Sequence, residues 1–186
     1  MEIFQLIISL LAYFIGAIPT GYLVARLKGI SDIRHHGSGN IGATNVSRSL
    51  GIHYFFLIFF LDAGKAFLFI RCVQPYFDYN YLCIFAALIL LGNCYSLFLR
   101  GSGGKGVATL CGLIAALQPT SLPLLFGTWI ILMLITKTVG IASVGAVLCL
   151  PVVIYAMHNN ILFLFSLFAA IIVVYKHKKN IINYVS

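Results

Sequence analysis

The sequence predicts an all-α integral membrane protein with about seven transmembrane helices. Of its 186 residues, 61% are hydrophobic and only 9% are charged, and the mean hydropathy is +1.04. Soluble globular domains do not have this composition. A helical span needs roughly 20 apolar residues to cross a hydrocarbon core about 30 Å thick, so the spans use almost the whole chain. We therefore expect residues 1–186 to form a single multi-span membrane domain.

Apolar runs separated by short polar breaks define the expected spans. In chain order these runs cover residues 4–24, 53–73, 81–99, 107–136, 141–157 and 161–175. The run 107–136 contains Gln118-Pro119, and a proline preceded by a polar residue usually ends a helix. This run is therefore either one tilted span or two short ones.

The distribution of basic residues decides between one crossing and two. Two crossings place the loop 25–52, the loop 100–105, Lys137 and the tail 176–179 on the same side of the membrane. Ten of the twelve lysines and arginines then share that side, and an excess of such residues marks the cytoplasmic face. We therefore predict seven helices, with the N-terminus outside and the C-terminus inside.

Two glycine-rich stretches lie in the predicted cytoplasmic loops. They are residues 37–48 (GSGNIGATNVSR) and residues 101–109 (GSGGKGVAT). Glycine allows the backbone to approach a ligand closely, and consecutive amides in turns form concave sites for phosphate oxygens. Each stretch also contains a cation that suits phosphate, Arg48 in the first and Lys105 in the second. Both stretches therefore indicate anion binding at one membrane surface.

Asp62 and Lys65 are charges within the apolar run 53–73. They are three residues apart, so in a helix they lie on the same face and neutralise each other. Ionisable groups inside a membrane are usually functional or support a functional group. A purely structural ion pair is an equally good interpretation here.

The sequence argues against several other functions. Residues 37–42 match the dinucleotide-binding pattern G-x-G-x-x-G, but no strand, helix and second strand surround them. Residues 104–106 resemble the end of an ATP-binding loop, but Leu99 and Gly106 stand where that loop needs a glycine and a hydroxyl residue. Membrane topology explains the net charge of +8, so no nucleic-acid partner is expected. The five cysteines lie singly in apolar segments, and no metal is expected.

The two glycine-rich stretches carry a resemblance to a known family. They are similar to the first two signatures of the bacterial membrane glycerol-3-phosphate acyltransferases that use acyl-phosphate as donor, the PlsY family. Further matches in the same order are residues 16–23 (GAIPTGYL), residues 32–34, Leu61-Asp62 with Lys65, Thr136 with Ser143, Pro151, and His177 with Asn180-Ile181. The resemblance thus extends over nearly the whole chain.

The resemblance implies a seven-helix enzyme of the bacterial inner membrane with its active site facing the cytoplasm. Its partners would be membrane lipid and two substrates, acyl-phosphate and glycerol 3-phosphate. The expected products are 1-acyl-glycerol 3-phosphate (lysophosphatidic acid) and inorganic phosphate, in an early step of phospholipid synthesis. By the same resemblance, no cofactor is expected, neither coenzyme A, acyl carrier protein nor a metal.

The resemblance also assigns site residues. Those expected to bind the phosphate of glycerol 3-phosphate are Arg48, Lys105, Ser143, His177 and Asn180. Those expected to surround the acyl-phosphate head group are Ser38, Gly39, Asn40 and Thr44, together with the amides near Gly103 and Gly104. Ser38, Lys105 and His177 are the candidate catalytic residues among them. Positioning and fixed donors facing the developing charge would supply most of the rate enhancement.

The sequence does not identify the general base. Asp32 is the carboxylate of the predicted cytoplasmic loops, but a loop carboxylate more often pairs with a neighbour such as Arg34. A phosphate oxygen of the donor, or Ser38 acting as a relay, is an alternative proton acceptor. His177 has a suitable side chain and equally suits a phosphate ligand.

Two other functions remain alternatives. One is a small transporter of an organophosphate, although transporters often contain internal repeats and midplane sites, and the sequence has no such repeat. The other is a degenerate member of the family that binds substrate without efficient turnover. The tail motivates this second alternative, because the chain has Asn183 and ends at Ser186 where the family typically has an arginine and a terminal glutamate.

Overall fold

The computed structural model describes residues 2–186, and within them all regular structure is helical. Ten α-helices follow one another: α1 (Glu2–Ala17), α2 (Thr20–Leu27), α3 (Ala43–Leu50), α4 (Ile52–Val73), α5 (Tyr79–Cys94), α6 (Val107–Leu117), α7 (Leu122–Thr136), α8 (Val139–Ala156), α9 (Asn160–Lys176) and α10 (Lys178–Val185). Short 3₁₀ turns lie at Ile33–His35, Gln74–Tyr76, Leu97–Leu99 and Pro119–Ser121. The prediction of an all-α protein is confirmed.

Three helical segments of the described chain are long and apolar enough to cross a membrane, namely Tyr79–Leu99, Pro119–Thr136 and Val139–Ala156. The number rises to five if two bent pairs each count as one span, α1 with α2 (42°) and α9 with α10 (59°). The structure therefore supports three to five spans, and the predicted seven remain a prediction. α6 has 11 residues and is about 16 Å long, well short of a hydrocarbon core of about 30 Å.

The predicted break at Gln118-Pro119 is confirmed. α6 ends at Leu117 and α7 begins at Leu122, with the 3₁₀ turn Pro119–Ser121 between them. Proline has no backbone N–H and disfavours a helical conformation of the preceding residue. The run 107–136 therefore forms two helices.

Glycines allow the helices to approach one another closely. A Cβ atom on Gly16 of α1 would lie 2.1 Å from the carbonyl oxygen of Ile89 in α5, and one on Gly92 of α5 would lie 2.1 Å from that of Tyr13. Gly112 of α6 is equally close to Ala63 of α4, at 2.0 Å. Helices in membranes commonly pack through such small residues, and these contacts place α5 in the core, where nine of its 16 residues are buried.

A buried ion pair fixes the break between α1 and α2. Lys65 Nζ lies 2.7 Å from Asp62 Oδ1 and donates to the Ile18 carbonyl oxygen at 2.8 Å. The Thr20 hydroxyl donates to the same Asp62 oxygen at 2.6 Å. The pairing of Asp62 with Lys65 is confirmed, and its contacts at the helix break indicate a structural role because they satisfy backbone groups that the break exposes.

Candidate active site

A buried asparagine holds the first glycine-rich loop in shape. Asn45, at the start of α3, is 2% exposed; its Oδ1 accepts from the Ser38 amide at 2.7 Å, and its Nδ2 donates to the His36 carbonyl at 2.9 Å. Gly37 and Gly39 have φ angles of +55° and +71°, which only glycine adopts without strain. The loop therefore takes a defined turn around Asn45, a residue that the sequence interpretation did not single out.

The candidate ligands of this loop lie on its exposed side. Ser38, Gly39 and Arg48 are exposed, and Asn40 and Thr44 are half-buried. The Asn40 Oδ1 atom accepts from the Gly42 amide at 2.8 Å, so its Nδ2 is the atom left to contact a ligand. Thr44 lies in the first turn of α3 and Arg48 in the last.

A small apolar cluster anchors the first loop to the bundle. Its buried members are Ala25 of α2, Ile33 and Ile41 of the loop, Val46 of α3, Ile58 of α4 and Leu99. Burying apolar side chains at both ends of the loop fixes where it lies. Leu99 belongs to the 3₁₀ turn just before the second glycine-rich loop, so the two loops share this cluster.

The second glycine-rich loop is packed against the end of α5. A Cβ atom on Gly103 would lie 2.2 Å from the Asn93 carbonyl oxygen, and the Gly104 amide donates to that same oxygen at 2.8 Å. The Gly103 amide donates to the Gly101 carbonyl oxygen at 3.2 Å. Both amides, which are expected near the acyl-phosphate head group, therefore have acceptors within the protein. The need for close packing explains these glycines instead.

Lys105 is the cation of the second glycine-rich loop. It is half-buried, and its Nζ donates a hydrogen bond to Asn180 Oδ1. Burial lowers the pKa of Lys105, and the nearby positive charges of Arg48 and Lys176 lower that pKa further. Arg48 is thus close enough for its charge to act on Lys105, so the structure brings the cations of both loops to one end of the bundle.

The Asn180 side chain fits because Gly140 has none. Gly140 is in the first turn of α8, and a Cβ atom there would lie 2.5 Å from Asn180 Nδ2 and 2.8 Å from its Cγ. The missing side chain leaves room for Asn180 to reach Lys105. Lys105, Gly140 and Asn180 therefore come together from three separate parts of the chain.

His177 lies in the link between α9 and α10, with 3% of its surface exposed. Its Nδ1 is 2.8 Å from the Val173 carbonyl oxygen, and since a carbonyl only accepts, Nδ1 carries the proton. Burial lowers the pKa of His177 to about 4, and the charge of Lys105 acts in the same direction. At neutral pH the ring is therefore uncharged, and Nε2 has a lone pair that can accept a proton from a hydroxyl.

Ser143 is engaged by the protein. It is 4% exposed; its Oγ donates to the Val139 carbonyl at 2.8 Å and accepts from the Trp129 indole nitrogen at 3.1 Å. A serine hydroxyl has one proton to donate. Ser143 therefore needs to rotate before it can donate to a phosphate, and the structure does not bring its free donor into the site.

Asp32 is committed to an ion pair with Arg34. The Arg34 Nε and Nη2 atoms lie 2.9 Å and 2.6 Å from the two Asp32 carboxylate oxygens. These hydrogen bonds from Arg34 lower the pKa of Asp32 to about 2. A carboxylate that holds a proton so weakly is a poor general base.

Within residues 2–186, no three His, Cys, Asp or Glu side chains are grouped so that they could hold a metal ion.

Lys176 has a structural contact that the sequence interpretation missed. Charge counting assigned it to the topology signal, but its Nζ donates to the Cys94 carbonyl oxygen at 2.6 Å and lies 4.8 Å from the centre of the Tyr95 ring. It therefore joins the end of α9 to the end of α5, beside the second loop. No sequence pattern pairs residues 82 positions apart, so this contact needed the structure.

An apolar groove of about 860 Å³ runs between α8 and α9. Its walls include Leu148, Pro151, Phe163, Leu167, Ile171 and Tyr175. From Phe163 to Tyr175 the wall is about 18 Å long, slightly more than half a hydrocarbon core of about 30 Å. The groove ends at Tyr175, two residues before His177 in the chain.

Comparison with known proteins gives consistent matches over almost the whole chain. A family model described as glycerol-3-phosphate acyltransferase matches residues 6–186. A glycerol-3-phosphate acyltransferase of Thermosipho melanesiensis is 38% identical over 174 residues, which are 92% of this chain and 84% of that one. The corresponding protein of Aquifex aeolicus is 36% identical over 180 residues, 95% of this chain and 93% of the other.

The fold also matches a solved structure. The crystal structure of PlsY, an integral membrane glycerol 3-phosphate acyltransferase in its glycerol 3-phosphate form, superimposes with a TM-score of 0.92 at 32% identity. The match covers 97% of this chain and 92% of the other. Since the family model, the relatives and the structure agree, this chain belongs to the PlsY family of integral membrane glycerol-3-phosphate acyltransferases.

Proposed function

We propose that this acyltransferase uses acyl-phosphate as donor and glycerol 3-phosphate as acceptor, and that it releases lysophosphatidic acid and inorganic phosphate. The observation that carries the proposal is the hydrogen bond between Lys105 and Asn180, with Arg48 and His177 near enough for their electrostatics to couple to the charge of Lys105. Two cations from separate loops suit an acceptor and a donor that both contain phosphate. A PlsY structure in a lysophosphatidic acid form, similar at 31% identity and a TM-score of 0.90, supports the product.

The groove between α8 and α9 suits the acyl chain of the donor. It is open to the apolar part of the membrane and is lined by apolar and aromatic side chains. Burying a chain there removes apolar surface from water, at about 0.8 kcal/mol per CH₂ group. The acyl chain would lie along Leu167 and Ile171, with its reactive carbonyl at the end next to Tyr175.

The reaction needs little from the protein beyond positioning. The acceptor hydroxyl oxygen forms a bond with the acyl carbonyl carbon, and the bond from that carbon to the phosphate oxygen breaks. The hydroxyl proton ends on the released phosphate, either directly or through Nε2 of His177. Lys105 and Arg48 neutralise phosphate charge. The residues that surround the donor head group are Ser38, Gly39, Asn40 and Thr44. Both kinds of interaction strengthen as negative charge develops in the transition state.

We place this chemistry at the cytoplasmic face of the bacterial inner membrane. Arg48, Lys105 and the basic tail lie at one end of the bundle, and an excess of basic residues marks the cytoplasmic side. Seven crossings, by α1 with α2, then by α4, α5, α6, α7, α8 and α9, would satisfy this arrangement. The short helix α6, with 11 residues, would then cross together with the segments that flank it. Soluble glycerol 3-phosphate would then enter from the cytoplasm and the acyl donor from the bilayer.

The decisive measurement is phosphate release by the purified protein in lipid vesicles supplied with acyl-phosphate and glycerol 3-phosphate. Lys105→Ala and Arg48→Ala should each lose at least about 100-fold in kcat/KM, as expected when a charged hydrogen-bond donor to a reacting phosphate is removed. Lys28→Ala is the matched control, because Lys28 is an exposed cation outside both glycine-rich stretches. Unchanged turnover in both site variants would refute the site.

The same preparation separates the alternatives. Movement of an organophosphate across the vesicle membrane without phosphate release would indicate a transporter. Binding of glycerol 3-phosphate without phosphate release would indicate a degenerate family member.

A second experiment tests the groove. Leu167→Trp places a bulky ring in the groove, whereas Leu134→Trp changes an exposed residue of α7 that is not part of it. We expect the first variant to shift the donor preference towards shorter acyl chains and the second to leave it unchanged. Equal behaviour of both variants would place the acyl chain elsewhere.

A further inference from the structure

The last helix, α10, turns away from the direction of the bundle. It bends by 59° from α9 at the end where Lys105 and Arg48 lie. At roughly 100° per residue, Ile181, Ile182 and Val185 share one face of this helix. Asn180 and Asn183 share the opposite face, Lys179 lies between the two faces, and Lys178 stands at the N-terminal end of the apolar face. α10 is thus amphipathic, and its polar face is the one that reaches the active site.

The apolar face of α10 has little protein against it. Ile182 is 64% exposed and Val185 80% exposed, and Ile181 is half-buried. α10 has eight residues, and isolated helices shorter than about 12 residues are marginal in water. A helix this short needs a surface that covers its apolar face.

Charge identifies that surface. Lys178 and Lys179 are both exposed at the start of α10, and Lys178 Nζ lies 4.9 Å from the centre of the Tyr175 ring, at the end of the apolar groove. Lysines beside an apolar helix face are typical of helices that lie in the interface of an anionic bilayer. Because α9 leads directly into α10, the bilayer that holds the bundle begins beside this face.

We propose that α10 lies flat in the interface of an anionic bilayer and that this docking positions Asn180 in the active site. Ile181, Ile182 and Val185 enter the boundary between head groups and acyl chains, which such helices reach to a depth of about 5–10 Å. Lys178 and Lys179 contact lipid phosphates. Asn180 then lies on the face away from the lipid, where its side chain meets Lys105 and the space left by Gly140.

The docking has a consequence for the enzyme. Asn180 belongs to α10. If α10 leaves the membrane surface, Asn180 moves with it and Lys105 loses its hydrogen-bond partner. The anionic lipid content of the membrane would therefore change the KM for glycerol 3-phosphate, and this part rests on the function proposed above. The position of α10 in the interface does not depend on that function.

Fluorescence quenching tests the position of α10 without any activity measurement. Trp129 is the single tryptophan of the chain, so Trp129→Phe provides a background in which one new tryptophan reports alone. Ile182→Trp reports from the apolar face and Asn183→Trp, its matched control, from the polar face. In anionic vesicles with brominated acyl chains, we expect strong quenching for Ile182→Trp and weak quenching for Asn183→Trp. Equal quenching of the two would overturn the docking.

Kinetics test the link to the active site. In vesicles of neutral lipid, the KM for glycerol 3-phosphate should be several-fold higher than in anionic vesicles, since each lysine near an anionic surface contributes roughly a fivefold change in binding. Lys178→Gln with Lys179→Gln should remove this difference, and Lys28→Gln should keep it. Equal KM values of the unmodified protein in both lipids, with α10 quenched as expected, would overturn the coupling. Failure of turnover in every vesicle would count against the proposed function, and the quenching result would still decide the docking.

Discussion

The two glycine-rich loops lie at the same end of the bundle but are held by different means. The first loop is anchored at its ends by a small apolar cluster, and hydrogen bonds from the buried side chain of Asn45 hold the turn between those ends. Its candidate ligands Ser38 and Arg48 stay exposed. The second loop is held by packing, with Gly103 and Gly104 buried against the end of α5. The turn of the first loop can therefore adjust to a ligand, whereas the second loop is held rigidly against the end of α5.

This difference assigns separate tasks to the loops. A loop held by hydrogen bonds opens locally at a small cost in free energy, while close-packed atoms resist any displacement. Lys105, which follows Gly103 and Gly104 in the rigid second loop, has a defined position relative to Asn180 and His177. Arg48, which is exposed near the end of α3, has room to move when an anion arrives.

Substitution of Gly103 should produce the largest effect. A Cβ atom there would lie 2.2 Å from a backbone oxygen of α5, and a backbone atom cannot rotate away. We expect Gly103→Ala to destabilise the protein by about 3 kcal/mol, the upper part of the range for overpacking, and to abolish activity. Thermal unfolding in detergent measures the change.

Gly64→Ala is the control for Gly103→Ala. A Cβ atom on Gly64 would meet no atom within 4 Å, and alanine favours a helix over glycine by about 1 kcal/mol. Equal stability of Gly103→Ala and the unmodified protein would mean that the second loop is as adjustable as the first.

Acidification should destabilise the folded protein through His177, which lies between α9 and α10. Its pKa of about 4 lies below the ordinary value, so the unfolded chain binds more protons than the folded protein between about pH 6.5 and 4. Stability should fall as the pH is lowered through this window, by about 3 kcal/mol in total at about 1.36 kcal/mol per unit. Chemical unfolding at several pH values measures the loss.

One variant isolates the contribution of His177. His177→Asn cannot titrate at this position and should lose much less stability on acidification. The same slope in this variant and in the unmodified protein would show that the acid sensitivity has another source.

Removal of the Asn45 side chain should loosen the first loop and leave the bundle folded. Asn45→Ala removes the acceptor for the Ser38 amide and the donor to His36. We expect a loss of about 1–2 kcal/mol, because the freed groups lie near water, together with a rise in the KM for acyl-phosphate. Ser47→Ala is the control, since the Ser47 hydroxyl bonds only to Thr44 within α3. A drop in kcat without a change in KM would argue against a loop that adjusts to its ligand.

Local patterns in the sequence predicted local features of the molecule well. The break at Gln118-Pro119 and the Asp62–Lys65 pair each depend on residues that are close together in the chain, and the structure contains both. The grouping of basic residues also predicted that Arg48 and Lys105 share one end of the bundle. Composition predicted membrane helices correctly, but it could not show that α6 has only 11 residues.

The remaining features depend on contacts between distant residues. The Asn45 contacts need the three-dimensional turn of the loop, and the Lys176 contact with Cys94 joins α9 to α5. The expected amides of Gly103 and Gly104 have acceptors in the protein, and the hydroxyl of Ser143 contacts Val139 and Trp129. Glycine and serine have the same sequence signature whether they bind a ligand or allow packing, so only the structure separates these roles.

Asp32 in the first loop should be nearly dispensable for the chemistry. Both of its carboxylate oxygens contact Arg34, which keeps its pKa near 2, so it is already ionised at neutral pH. Asp32→Asn should change kcat by less than about threefold, whereas loss of a general base costs about 100-fold or more. Arg34→Gln, which removes the other partner of the pair, should have an equally small effect. A hundredfold loss in Asp32→Asn alone would place the proton acceptor in the first loop. That loop would then need a fixed geometry of its own, because a general base must lie within hydrogen-bond reach of the proton it removes.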